Sequence, residues 1–151
     1  MIFNYFIYLM LISFKEVPDN YTLCVKADCP MADHCLRQLA MHVLTSRNKI
    51  LKIANPLLTQ PSEQCEFYRS DEPQVFARGF EAMKEEMLPR QYKVFMNHLK
   101  AKFGRTGYFE RKRGDRLCSP DDIKAVEAVL KELGLQHLGF DAYEQLYNWN
   151  D

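Results

Sequence analysis

Four cysteines constrain this chain more than any other feature. They are Cys24, Cys29, Cys35 and Cys65, spaced Cys24-x4-Cys29-x5-Cys35 with x29 before Cys65. Structural zinc sites use such a donor set, in which clustered thiols supply most of the tetrahedron and a distant one closes it. Thiolates are soft ligands that suit zinc or an iron–sulfur cluster. The pattern predicts Cys35 in the first turn of a helix, where the helix dipole favours the thiolate that a metal requires. The spacings are not the Cys-x2-Cys pairs of zinc ribbons, nor the common ferredoxin runs. Free cysteines are also among the most buried residues. Three outcomes stay open: zinc, an iron–sulfur cluster, or no metal, with plain thiols or disulfides. Zinc is the expected ion. His34 is a substitute ligand in type, but as the helical neighbour of Cys35 it points elsewhere. Cys118 reads as a small buried residue outside the group.

The chain has 151 residues, 47% of them apolar and 13% aromatic. That length can bury a core in one domain or two very small ones. The composition is too hydrophobic for a disordered chain. Net charge is zero, yet the charge is uneven. Between Arg90 and Cys118 lie nine basic residues (Arg90, Lys93, Lys100, Lys102, Arg105, Arg111, Lys112, Arg113, Arg116) against Glu110 and Asp115. From Ser119 to the end, acids outnumber bases seven to two. Such a stretch is either a solvated face or a surface for a polyanion.

The segment Met1–Phe14 is apolar and aromatic. It is too short to cross a bilayer as a helix, and it lacks the basic start and small-residue cleavage site of a secretory signal. Residues 1–16 read as an extension, a translation-start artefact or an element packed on the core. Residues 17–73 then form a cysteine-cluster lobe and 74–151 a helical lobe. A cytoplasmic address with no membrane span is expected.

Hydrophobic periodicity predicts five helices. One runs from Pro30 or Met31 to Thr45, with Leu36, Leu39, Ala40, Val43 and Leu44 as its buried stripe. A second covers Val75–Met87, with Phe76, Phe80, Met83 and Met87 on one face. A third, Arg90–Phe103, follows Pro89 and stops at Gly104. A fourth is capped by Ser119, with Pro120 in its first position and Asp121 and Asp122 in its first turn, and Gly134 ends it. A fifth, Ala142–Asn148, takes Asp141 as its cap. The fold class expected is mainly α: a small helical bundle with an N-terminal cysteine lobe and a helix-turn-helix-like C-terminal lobe.

Between Gly104 and Pro120 the chain is basic and aromatic. Arginine and lysine neutralise phosphates, and aromatics stack on bases. A helix, a glycine turn, a basic element and a Ser-Pro-capped helix together resemble the second half of the helix-turn-helix domain of bacterial repressors. That resemblance implies DNA or RNA facing Arg105, Tyr108, Arg111, Lys112, Arg113 and Arg116. The residues themselves also allow a basic β-hairpin about Gly114, or a solvated turn with Tyr108 and Phe109 in the core.

Longer stretches carry a second resemblance. The run Leu-Cys-x4-Cys-Pro-x-Ala-Asp-x-Cys-Leu-Arg (Leu23–Arg37), Cys65-x2-Tyr68, the basic run Tyr108–Pro120 and the ending Asp141–Trp149 together resemble an uncharacterised family of gut-bacterial proteins, a domain of unknown function. The likeness spans Val17 to Trp149 and implies a bacterial intracellular origin, with no activity or site attached.

No phosphate-cradling glycine loop, nucleophile elbow, His-Glu-x-x-His or paired-carboxylate signature occurs. The function expected is therefore non-enzymatic: a metal-stabilised regulatory or nucleic-acid-binding protein. An iron–sulfur or thiol redox sensor is one alternative. A protein–protein adaptor docking through Tyr143, Tyr147 and Trp149, or through the apolar N-terminus, is another. Oligomeric state is left open.

Overall fold

A computed structural model describes residues 17–150. The segment Met1–Phe14, and every reading made for it, lies outside those residues. Among the described residues the chain forms three α-helices and two strands. They are α1 (Leu36–Arg47), β1 (Gln74–Arg78), α2 (Pro89–Arg113), α3 (Pro120–Glu132) and β2 (Ala142–Leu146). Two compact units divide the chain: Pro73–Leu146 is one, and the residues before it together with those from Tyr147 onward are the other. The mainly helical character expected from periodicity holds in outline, with a small sheet added.

In the first unit, the stripe Leu36, Leu39, Ala40, Val43 and Leu44 is buried along α1 against Val17, Tyr21 and Leu23. Tyr147 and Trp149 cover its edge, and the Trp149 ring meets Tyr21 edge-on at 5.2 Å. The helix does not begin at Pro30 or Met31. Ala32–His34 form a 3-10 turn, Cys35 is extended, and α1 starts at Leu36. The cause is lateral pairing. Leu36 N–H donates to the Arg69 carbonyl (2.8 Å) and Asp71 N–H donates to the His34 carbonyl (3.2 Å). These backbone groups are committed sideways, so Cys35 cannot be helical and becomes the N-cap residue.

In the second unit, β1 and β2 pair antiparallel, from Gln74 opposite Leu146 to Arg78 opposite Ala142. Two of the expected helices do not form. Val75–Met87 divides into β1, a left-handed Gly79 (φ 69°) and a 3-10 turn at Ala82–Glu86. Phe76, Phe80, Met83 and Met87 are all buried nonetheless. Their spacing marks inward residues but does not fix the backbone that turns them inward. Ala142–Asn148 is likewise not a helix, because Ala142–Leu146 is strand β2. Asp141 caps a different element: its carboxylate accepts from Glu81 N–H (3.0 Å) and Ala82 N–H (3.3 Å) at the entry to the 3-10 turn.

Helix α2 has Pro89 in its first position and breaks at Gly104, whose φ of 74° and ψ of 166° are not helical. Helical geometry resumes after that break and ends at Gly114, in left-handed conformation at φ 81°. The basic segment up to Arg113 is thus helical, not a hairpin. The start of α3 follows the expected cap. Ser119 Oγ accepts from Asp122 N–H (3.2 Å), and the Asp122 carboxylate accepts from Ser119 N–H (3.1 Å). This reciprocal pair satisfies two backbone donors that a helix start leaves open. Phe80 lies at the centre of this unit's core, with ring contacts to Phe95, Tyr108 and Phe140.

Candidate functional site

Each of the four cysteines is set by local backbone bonding in the first unit. Leu23 bridges to Ile53 in parallel register, which fixes the strand-like segment leading into Cys24. Cys24 N–H then donates to the Arg37 carbonyl at 3.2 Å. A tight turn follows, with Cys29 N–H donating to the Lys26 carbonyl at 3.1 Å. The Gln38 side chain ties that turn to α1 by donating to the same Lys26 carbonyl (2.8 Å). Cys35 caps α1. Cys65 lies in a turn, its N–H donating to the Ser62 carbonyl (3.3 Å) and its own carbonyl accepting from Tyr68 N–H (3.0 Å).

All four cysteines line one small, partly open hollow, together with Arg37, Phe67 and Tyr68 among its walls. All four are free thiols, Cys24 and Cys35 buried and Cys29 and Cys65 half-buried. The hollow gathers the thiols without closing them into a shell. Among the described residues, no three His, Cys, Asp or Glu side chains stand close enough together to hold a metal ion. His34 does not line the hollow. Its Nδ1 lies 3.1 Å from the buried Asp71 carboxylate.

Sequence reasoning missed the residue that organises this site. Arg37 is only 3% exposed. Its Nε donates to the Phe67 carbonyl (2.7 Å) and another guanidinium N–H donates to the Thr22 carbonyl (2.8 Å). One carbonyl lies two residues after Cys65 and the other two residues before Cys24. The guanidinium also lies over the Tyr21 and Phe67 rings, at 5.2 and 6.0 Å from their centroids. A planar fork of donors can serve two carbonyls and stack at once, as an ammonium cannot. Its only sequence signal is position: an arginine in the first turn of α1, beside Cys35 and Leu36.

Cys118 stands apart, in the second unit. It is fully buried and exchanges backbone hydrogen bonds with Ala77 at 2.8 and 3.0 Å. Burial, reinforced by the Asp122 charge and opposed by Arg111, pushes its thiol up from the usual 9.0 to about 11. The folded protein thus favours the neutral thiol. That contribution to stability is complete below pH 9.0 and is lost as pH rises through about 11. Between these values the urea midpoint of a Cys118→Ala protein is expected to fall less steeply than that of the wild type. Parallel slopes would refute the assignment.

The basic segment is divided by burial. Tyr108 is fully buried, and Arg111, 8% exposed, pairs with Asp122 (3.0 Å) while lying over the Phe103 ring. Neither is on the surface that a nucleic acid would meet. Arg105, Arg113 and Arg116 are exposed and Lys112 is half-buried. Arg113 pairs with Asp115 at 2.8 Å, and Arg116 lies 4.0 Å from Glu110. In the aromatic tail, Tyr143 is exposed, while Tyr147 and Trp149 pack into the first unit.

A family model described as "Family of unknown function (DUF6078)" matches residues 5–149. The chain belongs to that family. The match takes in all four cysteines of this DUF6078 member, as well as Arg37 and the basic segment, and it begins inside the apolar N-terminal stretch. No curated protein and no solved structure matches this DUF6078 chain. Among the described residues of this DUF6078 member, no helix is long and apolar enough to cross a membrane.

Proposed function

We propose that this chain is a non-enzymatic regulatory or binding protein whose first unit is fixed by a zinc ion held by Cys24, Cys29, Cys35 and Cys65. One observation carries the reading: three separate chain segments deliver four free thiols to one hollow. The donor chemistry fits, since four thiolates are a standard structural zinc set. The sulfurs as they stand do not form a shell. Rotation about χ1 moves each sulfur between staggered positions without moving the backbone, and the reading requires such rotations to bring them together. Bound there, zinc would cross-link the segment at Cys24 and Cys29, the start of α1 and the loop at Cys65. A metal that binds only the folded form adds its binding free energy to folding.

The test is elemental analysis with a visible spectrum on protein purified without a metal-affinity tag. One zinc per chain in a colourless protein is expected, with the zinc lost in Cys65→Ser and a lower thermal midpoint after chelation. A brown protein would replace zinc with an iron–sulfur cluster. A metal-free protein whose five cysteines all titrate as free thiols on denaturation would end the reading. Nucleic-acid binding has less support: of its six proposed contacts two are buried, and the exposed Arg113 and Arg116 already face acids.

A further inference from the structure

The Lys84 and Lys112 side chains both lie against the Tyr92 ring in the second unit, apart from the four clustered cysteines of the first. Lys84 belongs to the 3-10 turn Ala82–Glu86, which Asp141 caps. Tyr92 lies in the first turn of α2 and Lys112 near its end. The Lys112 backbone is held in place, its carbonyl accepting from Phe80 N–H at 3.0 Å. The Lys84 and Lys112 ammoniums lie 5.5 and 5.9 Å from the centroid of the Tyr92 ring. The Tyr92 hydroxyl is 3.4 Å from that of Tyr108, which is fully buried.

Burial opposes ionisation of Tyr92, but the Tyr108 hydroxyl and the charges of Lys112 and Lys84 outweigh it and hold the phenol below its ordinary range. Burial pushes Tyr108 well above that range, so it stays protonated. Tyr108 can therefore donate inward to Tyr92, leaving the Tyr92 proton free to point outward. Among the described residues neither lysine is paired with a carboxylate. Among the described residues, two like charges thus lie against one aromatic ring with no paired carboxylate, beside a phenol that can donate. The carboxylates of Glu85 and Glu86 are neighbours of Lys84 in sequence and weaken the local potential without pairing with it.

We propose that Lys84, Lys112 and the Tyr92 hydroxyl form a binding site for a phosphate group, presented as free phosphate or as a small phosphate monoester. Two ammoniums match a dianion, and lysine binds phosphate as a point charge without bidentate geometry. The phenol adds a neutral donor. Two cations at one locus fit a single phosphate better than a polymer, which needs cations along its backbone.

The test is calorimetric titration of the full chain, at low ionic strength, with inorganic phosphate and separately with phenyl phosphate. Saturable binding of one phosphate per chain is expected. Lys84→Met and Lys112→Met should each weaken it about tenfold, the loss of one charge-assisted hydrogen bond. Tyr92→Phe should weaken it about threefold, the value of a neutral one. Lys112→Arg should retain binding, and Lys102→Met, on an exposed helical position, should leave it unchanged. Tighter binding of phenyl phosphate would assign the site to monoesters, and tighter binding of inorganic phosphate to the free ion. The proposal is overturned if neither binds saturably or if the two lysine variants bind as the wild type does. It is also overturned if only a single-stranded oligonucleotide binds, and Arg105→Ala rather than Lys84→Met abolishes it.

Discussion

Arg37→Met is expected to destabilise the first unit by about 3 kcal/mol, the scale of two charge-assisted hydrogen bonds lost from a buried guanidinium. Methionine retains much of the apolar stem and adds no steric clash, so the loss isolates the guanidinium. The carbonyls of Thr22 and Phe67 lose their donor, and the Tyr21 and Phe67 rings each lose a cation lying over them. Arg37→Lys should recover less than half of the loss, because one ammonium cannot reach both carbonyls in the geometry of a fork. The chain's single tryptophan, Trp149, packs edge-on against Tyr21 in this unit, so urea unfolding followed by its fluorescence reads the effect directly. A loss below about 1 kcal/mol would mean that water serves those carbonyls as well as the arginine does. If zinc is bound, the same substitution also loosens it, since Arg37 ties the backbone flanking Cys24 to that flanking Cys65. Zinc retention against a chelator should then fall in Arg37→Met before the unit unfolds.

The parts of this fold that can be read in the sequence are those whose causes lie within a few residues. Ser119, Pro120 and Asp122 declare the start of α3 because the cap closes over three residues. Gly104 declares a break because a left-handed φ excludes helix on its own. The stripe of α1 is legible for the same reason, but its first turn is not. Arg69 and Asp71, more than 30 residues away, take up the backbone at Leu36 and His34. The sheet is illegible from periodicity. Phe76, Phe80, Met83 and Met87 satisfy a helical spacing, and only the pairing of Gln74–Arg78 with Ala142–Leu146 shows that part of this stretch is a strand.

The candidate site divides along the same line. Type and spacing led to the expectation of a four-thiolate metal shell; the four cysteines line one hollow, but among the described residues no three ligands stand close enough to hold an ion. Arg37 escaped notice because a lone arginine on an amphipathic helix ordinarily reads as solvated. Its burial depends on two carbonyls from distant loops, which no local pattern announces. The basic segment shows the converse. Its charge run is plain in the sequence, while the inward turn of Tyr108 and Arg111 depends on Phe103 and on Asp122 of α3.

Phe80→Ala is expected to cost the second unit about 4 kcal/mol, within the range of buried phenylalanine truncations. Phe80 is 1% exposed and meets Phe95 of α2 at 5.9 Å, Tyr108 beyond the Gly104 break at 5.8 Å and Phe140 before β2 at 6.1 Å. The two segments of α2 and the strand region therefore share one ring. Close packing leaves little room for these neighbours to collapse into the vacated space, so transfer and cavity terms add. Phe80→Leu, which keeps most of the volume, should cost only about 1 kcal/mol. Hydrogen-exchange mass spectrometry distinguishes the two variants by position. In Phe80→Ala the amides of α2 on both sides of Gly104 and those of β1 should lose protection together, because the ring is their common contact. Loss confined to one side of Gly104 would show that the two segments of α2 are held independently, and that Phe80 is a local filler rather than the centre of the unit.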